Sequence, residues 1–348
     1  MAIIGGFDVH RAQITFDHLD TDTGEVSRGQ IRPATRTVLH SWLGRFAGRC
    51  DVAFAVEGCT GWRFVVEELT AAGITPHLAE PADTAAARGR KKRAKTDKAD
   101  ARLLRELLCQ RRLPESWIAP PHVLEVRTCV RLYVSLMDER RGWQQRIHAQ
   151  LFHQGVAPLT GLLTEVGRAA LAAAPLSPAG RQLVDSALVA IDRLTELVTP
   201  LRAQLQAVGR SQPGARALTA QYGIGPLLGA IIWAELGDCR RFRNSDQAVR
   251  FAGLDVTVWS SDGKRSAGHL ARQGSPQLRW ALFEAAECAR RATSPDHDYY
   301  AALAERLGGK RPVLSVARKL LRRCYHTLRE LGEEAWSPVG SSTPKQAA

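Results

Sequence analysis

The chain has 348 residues, 45% of them hydrophobic, which suits about two globular domains and is not typical of a disordered chain. Its 48 Lys and Arg outnumber 35 Asp and Glu, and the net charge of +13 favours a polyanionic partner such as nucleic acid. No apolar run approaches the roughly 20 residues of a membrane span, and no signal-peptide features open the chain, so we expect a cytoplasmic protein without a membrane partner. The seven dispersed cysteines, without a CxxC pair, do not indicate a structural zinc site.

The first third of the chain has the element order of an RNase H-like mixed sheet. Apolar runs bounded by turn signals predict five strands, at residues 2–9, 13–19, 25–33, 52–56 and 74–80. Helical spacing of apolar residues predicts helices at 34–46 and 61–73. Three meandering strands followed by a strand–helix–strand unit therefore predict an α/β N-terminal domain.

Four carboxylates occupy positions that such a sheet would bring together. Asp8 ends the first predicted strand and Glu57 ends the fourth, and these two strands are neighbours in an RNase H-like sheet. Asp97 and Asp100 are three positions apart at the start of a predicted helix, which puts them on one helical face. Acids so placed could hold two Mg²⁺ or Mn²⁺ ions about 3.5–4 Å apart for in-line attack at a phosphodiester.

Each of these acids also has an ordinary interpretation. An acid at the end of a strand is often a solvated loop residue, and an Asp at a helix start can serve as an N-cap. The joint placement favours the metal site, and so does a run of seven basic side chains with one acid at residues 88–98. We expect this run to contact nucleic acid. The predicted contact residues are Arg90, Lys91, Lys92, Arg93 and Lys95.

The middle of the chain predicts two long helices, at residues 122–155 and 180–208, from apolar residues spaced three and four apart. Pro200 lies inside the second helix and should kink or divide it. The two helices suggest an antiparallel pair, coiled against each other or against a second subunit. Core packing within one chain is the alternative.

A new domain is predicted from about residue 213. Gly223-Ile-Gly225 resembles the hairpin of a helix-hairpin-helix, whose amides at a helix N-terminus can accept a phosphate, although a plain turn is the alternative. Downstream, adjacent serines lie among cations, and such a serine can attack phosphorus because the cations stabilise the developing charge. A phosphate-contacting hydroxyl or an ordinary Ser-Asp-Gly turn is the other interpretation. The residues of this second group are Ser260, Ser261, Lys264, Arg265 and Arg272.

Short segments in a specific order carry a family resemblance along nearly the whole chain. In the N-terminal part they are FDVH around Asp8, AVEGCTGW around Glu57, and KTDKADA with Asp97 and Asp100. Later come YGIGPLLGAIIWAELGD, SSDGKR, GHLARQG and LRWAL. In these segments the chain resembles the DEDD transposases of bacterial insertion sequences, family one-ten, also called bridge-RNA-guided recombinases.

The resemblance implies a fold of the α/β plus α class in four parts. A RuvC-like, RNase H-like metal domain would span residues 1–114, and a helical coiled-coil region residues 115–210. A mostly helical transposase domain with a helix-hairpin-helix-like element and a serine would span residues 211–335. Residues 336–348 would form a disordered tail.

The resemblance also implies a chemistry and partners. The serine attacks DNA to form a phosphoserine link while the metal-bound acids assist. Donor and target DNA, a structured guide RNA from the element, and a homodimer or homotetramer are expected, with nucleoid association when DNA is bound. By position the serine falls on Ser261, but the family's following glycine is Asp262 here, which leaves Ser260 as an alternative.

Two other functions remain open from the residues. A metal-dependent Holliday-junction or RNA nuclease would need only the acids and would leave Ser261 idle. A non-catalytic nucleic-acid-binding protein would use the acids structurally.

Overall fold

A computed structural model of the chain describes residues 2–87, 96–256, 259–261, 264–266, 268–271 and 274–339. The chain forms two compact units, Met1–Ile118 and Ala119–Ala348. The predicted domain boundaries remain predictions, since compactness alone does not divide the second unit.

In its described residues, the N-terminal unit contains a five-stranded sheet and four α-helices. The strands are β1 (Ile3–Val9), β2 (Ile14–Asp20), β3 (Val26–Ile31), β4 (Val52–Glu57) and β5 (Thr75–Ala79). The helices are α1 (Arg36–Leu43), α2 (Trp62–Ala71), α3 (Pro81–Ala87) and α4 (Asp97–Cys109). The sheet order is β3-β2-β1-β4-β5, with β1 antiparallel to β2 and parallel to β4. This confirms the RNase H-like mixed sheet. Helix α3 was not predicted, because its alanine-rich sequence has no apolar periodicity.

The two faces of this sheet carry side chains of different size. Successive residues of a strand point to opposite faces, so Phe7, Phe54 and Val56 share one face and pack with residues of α1 and α2. The other face presents Gly6, Ala53 and Ala55, and the two alanines pack with Leu104 and Leu108 of α4. Small residues therefore let α4 lie directly on the sheet.

The C-terminal unit is mostly helical. Its helices are α5 (Pro121–His153), α6 (Glu165–Ala173), α7 (Pro178–Ser211), α8 (Pro213–Leu218), α9 (Pro226–Leu236), α10 (Ser245–Phe251), α11 (Pro276–Glu287), α12 (His297–Arg306) and α13 (Arg311–Leu331). A short antiparallel hairpin, β6 (Trp259–Ser261) and β7 (Lys264–Ser266), lies between α10 and α11. None of the helices in the described ranges is long and apolar enough to cross a membrane.

Helices α5 and α7 form the antiparallel pair that the sequence predicts, packed against each other within the chain. Gln154, after α5, donates to the Ser177 hydroxyl before α7 at 3.0 Å, which joins the end of one helix to the start of the other. Helix α7 runs continuously through Pro200, so the helix is not divided there, and the predicted kink stays a prediction. A proline removes one backbone hydrogen bond, and apolar contacts such as those of Val198 and Leu205, both buried, offset that loss.

The core of the C-terminal unit forms around α9, whose residues from Gly229 to Leu236 are all buried. Trp233 of α9 stacks on Trp336 at 5.3 Å between ring centroids and donates from Nε1 to the Ala335 carbonyl oxygen at 2.7 Å. The predicted disordered tail is therefore wrong at its first residue, because Trp336 belongs to this core. Residues 340–348 lie outside the described part of the chain.

Candidate active site

The structure brings two of the predicted acids to one edge of the sheet. Asp8 is in β1 and Glu57 is the last residue of the parallel neighbour β4. The register pairs Phe7 with Val56, so Asp8 and Glu57 follow side by side. Strand alternation places both on the face that α4 covers, together with Gly6 and Ala55.

The other two acids lie in the first turn of α4. Thr96 is the N-cap of this helix, since its side chain accepts a hydrogen bond from the amide of Ala99 at 3.3 Å. Capping by Asp97 or Asp100 is therefore excluded as the explanation for these acids. Asp100 is buried, and buried carboxylates are rare unless they are paired with another group.

The electrostatics of Asp8 show that the four acids are close together. The pKa of Asp8 is raised from 3.8 to about 6, most strongly by burial and then by the charges of Asp97, Asp100 and Glu57, in that order. His10 acts in the opposite direction. Like charges raise a carboxyl pKa only across short distances, so the sheet edge and the start of α4 form one acidic site.

The chemistry of this site suits a hard divalent cation. All four candidate ligands offer carboxylate oxygens, which Mg²⁺ and Mn²⁺ prefer. A cation would offset both the burial and the repulsion that raise the pKa of Asp8. The side chains as they stand do not form a finished coordination shell. Within the described ranges, no group of three or more His, Cys, Asp and Glu side chains has the arrangement of a metal site. The four acids therefore fit a divalent cation in the type of their donor atoms and in their charge.

Several polar residues around these acids were not predicted from the sequence. Gln13 donates from Nε2 to Oδ2 of Asp97 at 3.0 Å and accepts a hydrogen bond from Arg32. Asp17, almost fully buried, accepts from Arg105 of α4 at 2.5 Å and from Arg28 of β3 at 2.7 Å. The available signal was the alternation of polar residues from position 13 to 17 with the apolar Ile14 and Phe16.

In the C-terminal unit, the two glycines of the predicted hairpin have different surroundings. Gly223 has a positive φ of 88°, and an added Cβ there would lie 2.4 Å from the carbonyl oxygen of Ala285. Gly225 is the exposed N-cap of α9, with open space where a Cβ would stand. Gly223 thus has a packing role, whereas Gly225 has open space on its side-chain side. The phosphate contact stays a prediction for both.

The two serines lie in strand β6 of the hairpin. The backbone of Ser261 pairs with Lys264, and that of Ser260 with Arg265. Asp262 and Arg272 lie outside the described residues, as do Arg90, Lys91, Lys92, Arg93 and Lys95 of the basic run. The described structure therefore brings both serines beside two of the predicted cations along the backbone, and it does not test their roles.

Two family models match the chain in succession. One, described as a transposase of the DEDD type of IS110, matches residues 5–153, which include all four acids. The other, described as the transposase IS116/IS110/IS902 family, matches residues 215–301, which include both serines. The chain belongs to the IS110 family of transposases. The predicted family resemblance is confirmed, and each of its two predicted sites falls within a segment typical of the family.

Individual members resemble this IS110-family chain over part of its length. A protein of Sinorhizobium fredii named as a transposase, y4rJ, is 32% identical over 243 residues, 63% of this chain and 60% of the relative. A protein of Pseudomonas aeruginosa named as a family 20 transposase is 28% identical over 196 residues, 56% of this chain and 57% of the relative. The transposase for insertion sequence element IS1111A of Coxiella burnetii is 24% identical over 148 residues, 41% of each chain. The chain thus spans about 60% of the length of the first relatives.

Proposed function

We propose that this chain is the transposase of a bacterial insertion sequence, an enzyme that cuts and rejoins DNA. The observation that carries the proposal is the acidic site, where burial and three neighbouring carboxylates raise the pKa of Asp8 within an RNase H-like sheet. Its presence in one chain with a second, serine-containing segment of the same family favours strand transfer over cleavage alone.

The acids would serve as the ligands of Mg²⁺ or Mn²⁺. Asp8, Glu57, Asp97 and Asp100 would hold the cation, and Gln13 would fix the orientation of Asp97 through its amide. A bound divalent cation at such a site stabilises negative charge on a phosphodiester during in-line displacement. The chain's own contribution is to gather four carboxylates on one covered face.

Ser261 would supply the nucleophile. Its hydroxyl oxygen forms a bond to phosphorus, the phosphodiester bond to the leaving DNA oxygen breaks, and the proton passes from the serine to that oxygen through solvent or a general base. Lys264 and Arg265 follow in the next strand and would stabilise the charge on the phosphate. Gly223, Gly225 and Arg272 would contact the DNA backbone.

The partners we propose are donor DNA, target DNA and a structured guide RNA from the element, bound by a homodimer or homotetramer near the nucleoid in the cytoplasm. The net charge of +13 supports a nucleic-acid partner of either kind. The RNA and the assembly rest on the family resemblance.

A covalent-trapping experiment tests the serine. The full chain is incubated with the junction DNA of its element, the flanking RNA and Mg²⁺, and a protein–DNA adduct is sought on a denaturing gel. We expect an adduct with the native chain, none with Ser261→Ala, and one with the matched control Ser260→Ala. An adduct lost only in Ser260→Ala would move the nucleophile by one residue.

Cleavage that needs Mg²⁺ but gives no adduct under any condition would contradict strand transfer through serine. That result would favour the second function, a Holliday-junction or RNA nuclease, since the acidic site alone suffices for it. Binding without any metal-dependent chemistry would leave a non-catalytic nucleic-acid-binding protein.

Salt dependence tests the basic run. We expect the affinity for DNA to fall by roughly 10³-fold between about 50 and 200 mM salt, because each neutralised phosphate releases counterions. Replacing the five predicted side chains, Arg90, Lys91, Lys92, Arg93 and Lys95, with glutamine should lower the slope by up to about 4.5 in log–log units, at roughly 0.9 per contact. Arg49→Gln, which removes a surface arginine paired with Asp51, is the control and should leave the slope nearly unchanged. An unchanged slope in the fivefold variant would remove this run from the interface.

A further inference from the structure

Polar side chains alternate along the start of β2 and face α4. Gln13 donates to Asp97, and Asp17, four residues on, accepts from Arg105. Four residues of a strand and the eight residues from Asp97 to Arg105 in a helix both span about 12–13 Å. Two polar contacts about 12–13 Å apart, Gln13 with Asp97 and Asp17 with Arg105, therefore join the start of strand β2 to helix α4.

Thr15 lies between these two contacts. Its side chain is on the same face as Gln13 and Asp17, since strand side chains alternate, and only 1% of it is exposed. Within the described part of the chain, its hydroxyl has no hydrogen-bond partner. A buried hydroxyl without a partner is unfavourable, and valine would fill the same space without that penalty. Packing alone therefore does not explain why position 15 is a threonine.

The register of β1 and β2 gives a candidate acceptor. Asp8 of β1 pairs directly with Thr15 of β2. Opposite residues of an antiparallel pair point to the same face with Cβ atoms about 5 Å apart, within reach of a hydroxyl and a carboxylate. Gln13 and Asp17 already have partners. The hydroxyl of Thr15 thus lies beside the acidic site and is directed into the covered face.

We propose that Thr15 is a positioning residue for the acidic site. The structure does not contain a hydrogen bond between the two side chains, but a change of the Thr15 rotamer would let its hydroxyl donate to a carboxylate oxygen of Asp8. That bond would fix the orientation in which the other oxygen binds a divalent cation. This inference rests on the proposed function, because it assigns Thr15 to the same cation site. Hydrogen bonds of this kind orient the carboxylates that bind a metal ion, and their loss lowers the affinity for the metal by roughly 10- to 100-fold.

Mn²⁺ binding to the full chain, measured by electron paramagnetic resonance and by calorimetry, tests the inference. We expect Thr15→Val to weaken Mn²⁺ binding by about 10-fold or more, because it keeps the shape and removes the donor. Thr15→Ser, which keeps the hydroxyl, should bind within about threefold of the native chain. In EDTA, Thr15→Val should unfold at the same temperature as the native chain or higher, since valine needs no hydrogen-bond partner.

The outcomes separate this inference from the proposed function. Native Mn²⁺ affinity in Thr15→Val would overturn the role of Thr15 and leave the cation site standing, provided that Asp8→Asn still abolishes binding. Equal losses in Thr15→Val and Thr15→Ser, or an unfolded Thr15→Val chain, would show a packing role and overturn it too. Absence of Asp8-dependent Mn²⁺ binding in the native chain would instead contradict the proposed cation site itself.

Discussion

Replacing Gly6 with alanine is expected to destabilise the N-terminal unit by more than about 3 kcal/mol and to remove cation binding at the acidic site. An added Cβ would lie 2.2 Å from the carbonyl oxygen of Ala101 and 2.7 Å from the amide nitrogen of Arg105. Both atoms are backbone of α4, so no side-chain rotation relieves the contact, and the helix must lift from the sheet. Urea unfolding followed by tryptophan fluorescence measures the first effect, and Mn²⁺ calorimetry the second.

Gly44→Ala provides the matched control in the same unit. No atom lies within 4 Å of a Cβ added at Gly44, and its φ of −54° suits any residue. We expect a change within about 0.5 kcal/mol for this variant. A Gly6→Ala chain as stable as the control would mean that α4 does not lie on β1 as described.

The N-terminal fold could be predicted because local sequence patterns indicate where each of its strands begins and ends. Apolar runs bounded by turn signals located the five strands of the described sheet, and the order of elements then indicated which strands are neighbours. That order put Asp8 and Glu57 at the ends of neighbouring strands. Nothing in the local pattern of residues 81–87 marked α3, because an alanine-rich segment has no apolar stripe to detect.

Contacts between distant segments could not be read from the sequence in the same way. The hydrogen bond of Gln13 with Asp97 joins positions 84 residues apart, and its existence depends on how α4 lies across β2. Trp336 looked like the start of a polar tail because its neighbours are small and polar, yet its ring stacks on Trp233, more than 100 residues earlier. Single buried side chains of this kind are decided by tertiary packing.

The acids of the candidate site could be predicted only in part from the sequence. Their positions followed from strand ends and helical spacing, whereas their proximity needed the structure, through the raised pKa of Asp8. For the serine segment, the structure adds the backbone pairing of Ser261 with Lys264, and the nucleophile remains a proposal.

Asp8→Asn is expected to abolish DNA cutting while making the cation-free protein more stable. Loss of one of four cation ligands should reduce the rate by on the order of 10³-fold or more, comparable with removing a main stabiliser of transition-state charge. In EDTA at pH 7, the variant should gain about 1 kcal/mol once solvent screening of the half-buried group is allowed for, because the charge that burial and three other acids disfavour is gone. Cutting assays and urea unfolding measure the two effects.

The pH dependence of that gain identifies its cause. Since the pKa of Asp8 is raised from 3.8 to about 6 in the folded chain, its protonated form stabilises the fold below about pH 4. This contribution is lost as the pH rises through 6, so the advantage of Asp8→Asn should grow over the same range and vanish in acid. Saturating Mg²⁺ should reverse the order at pH 7, because a cation bound only by the folded native chain stabilises that chain alone. A gain that is independent of pH would contradict the raised pKa of Asp8, and a gain that Mg²⁺ leaves unchanged would contradict the cation site.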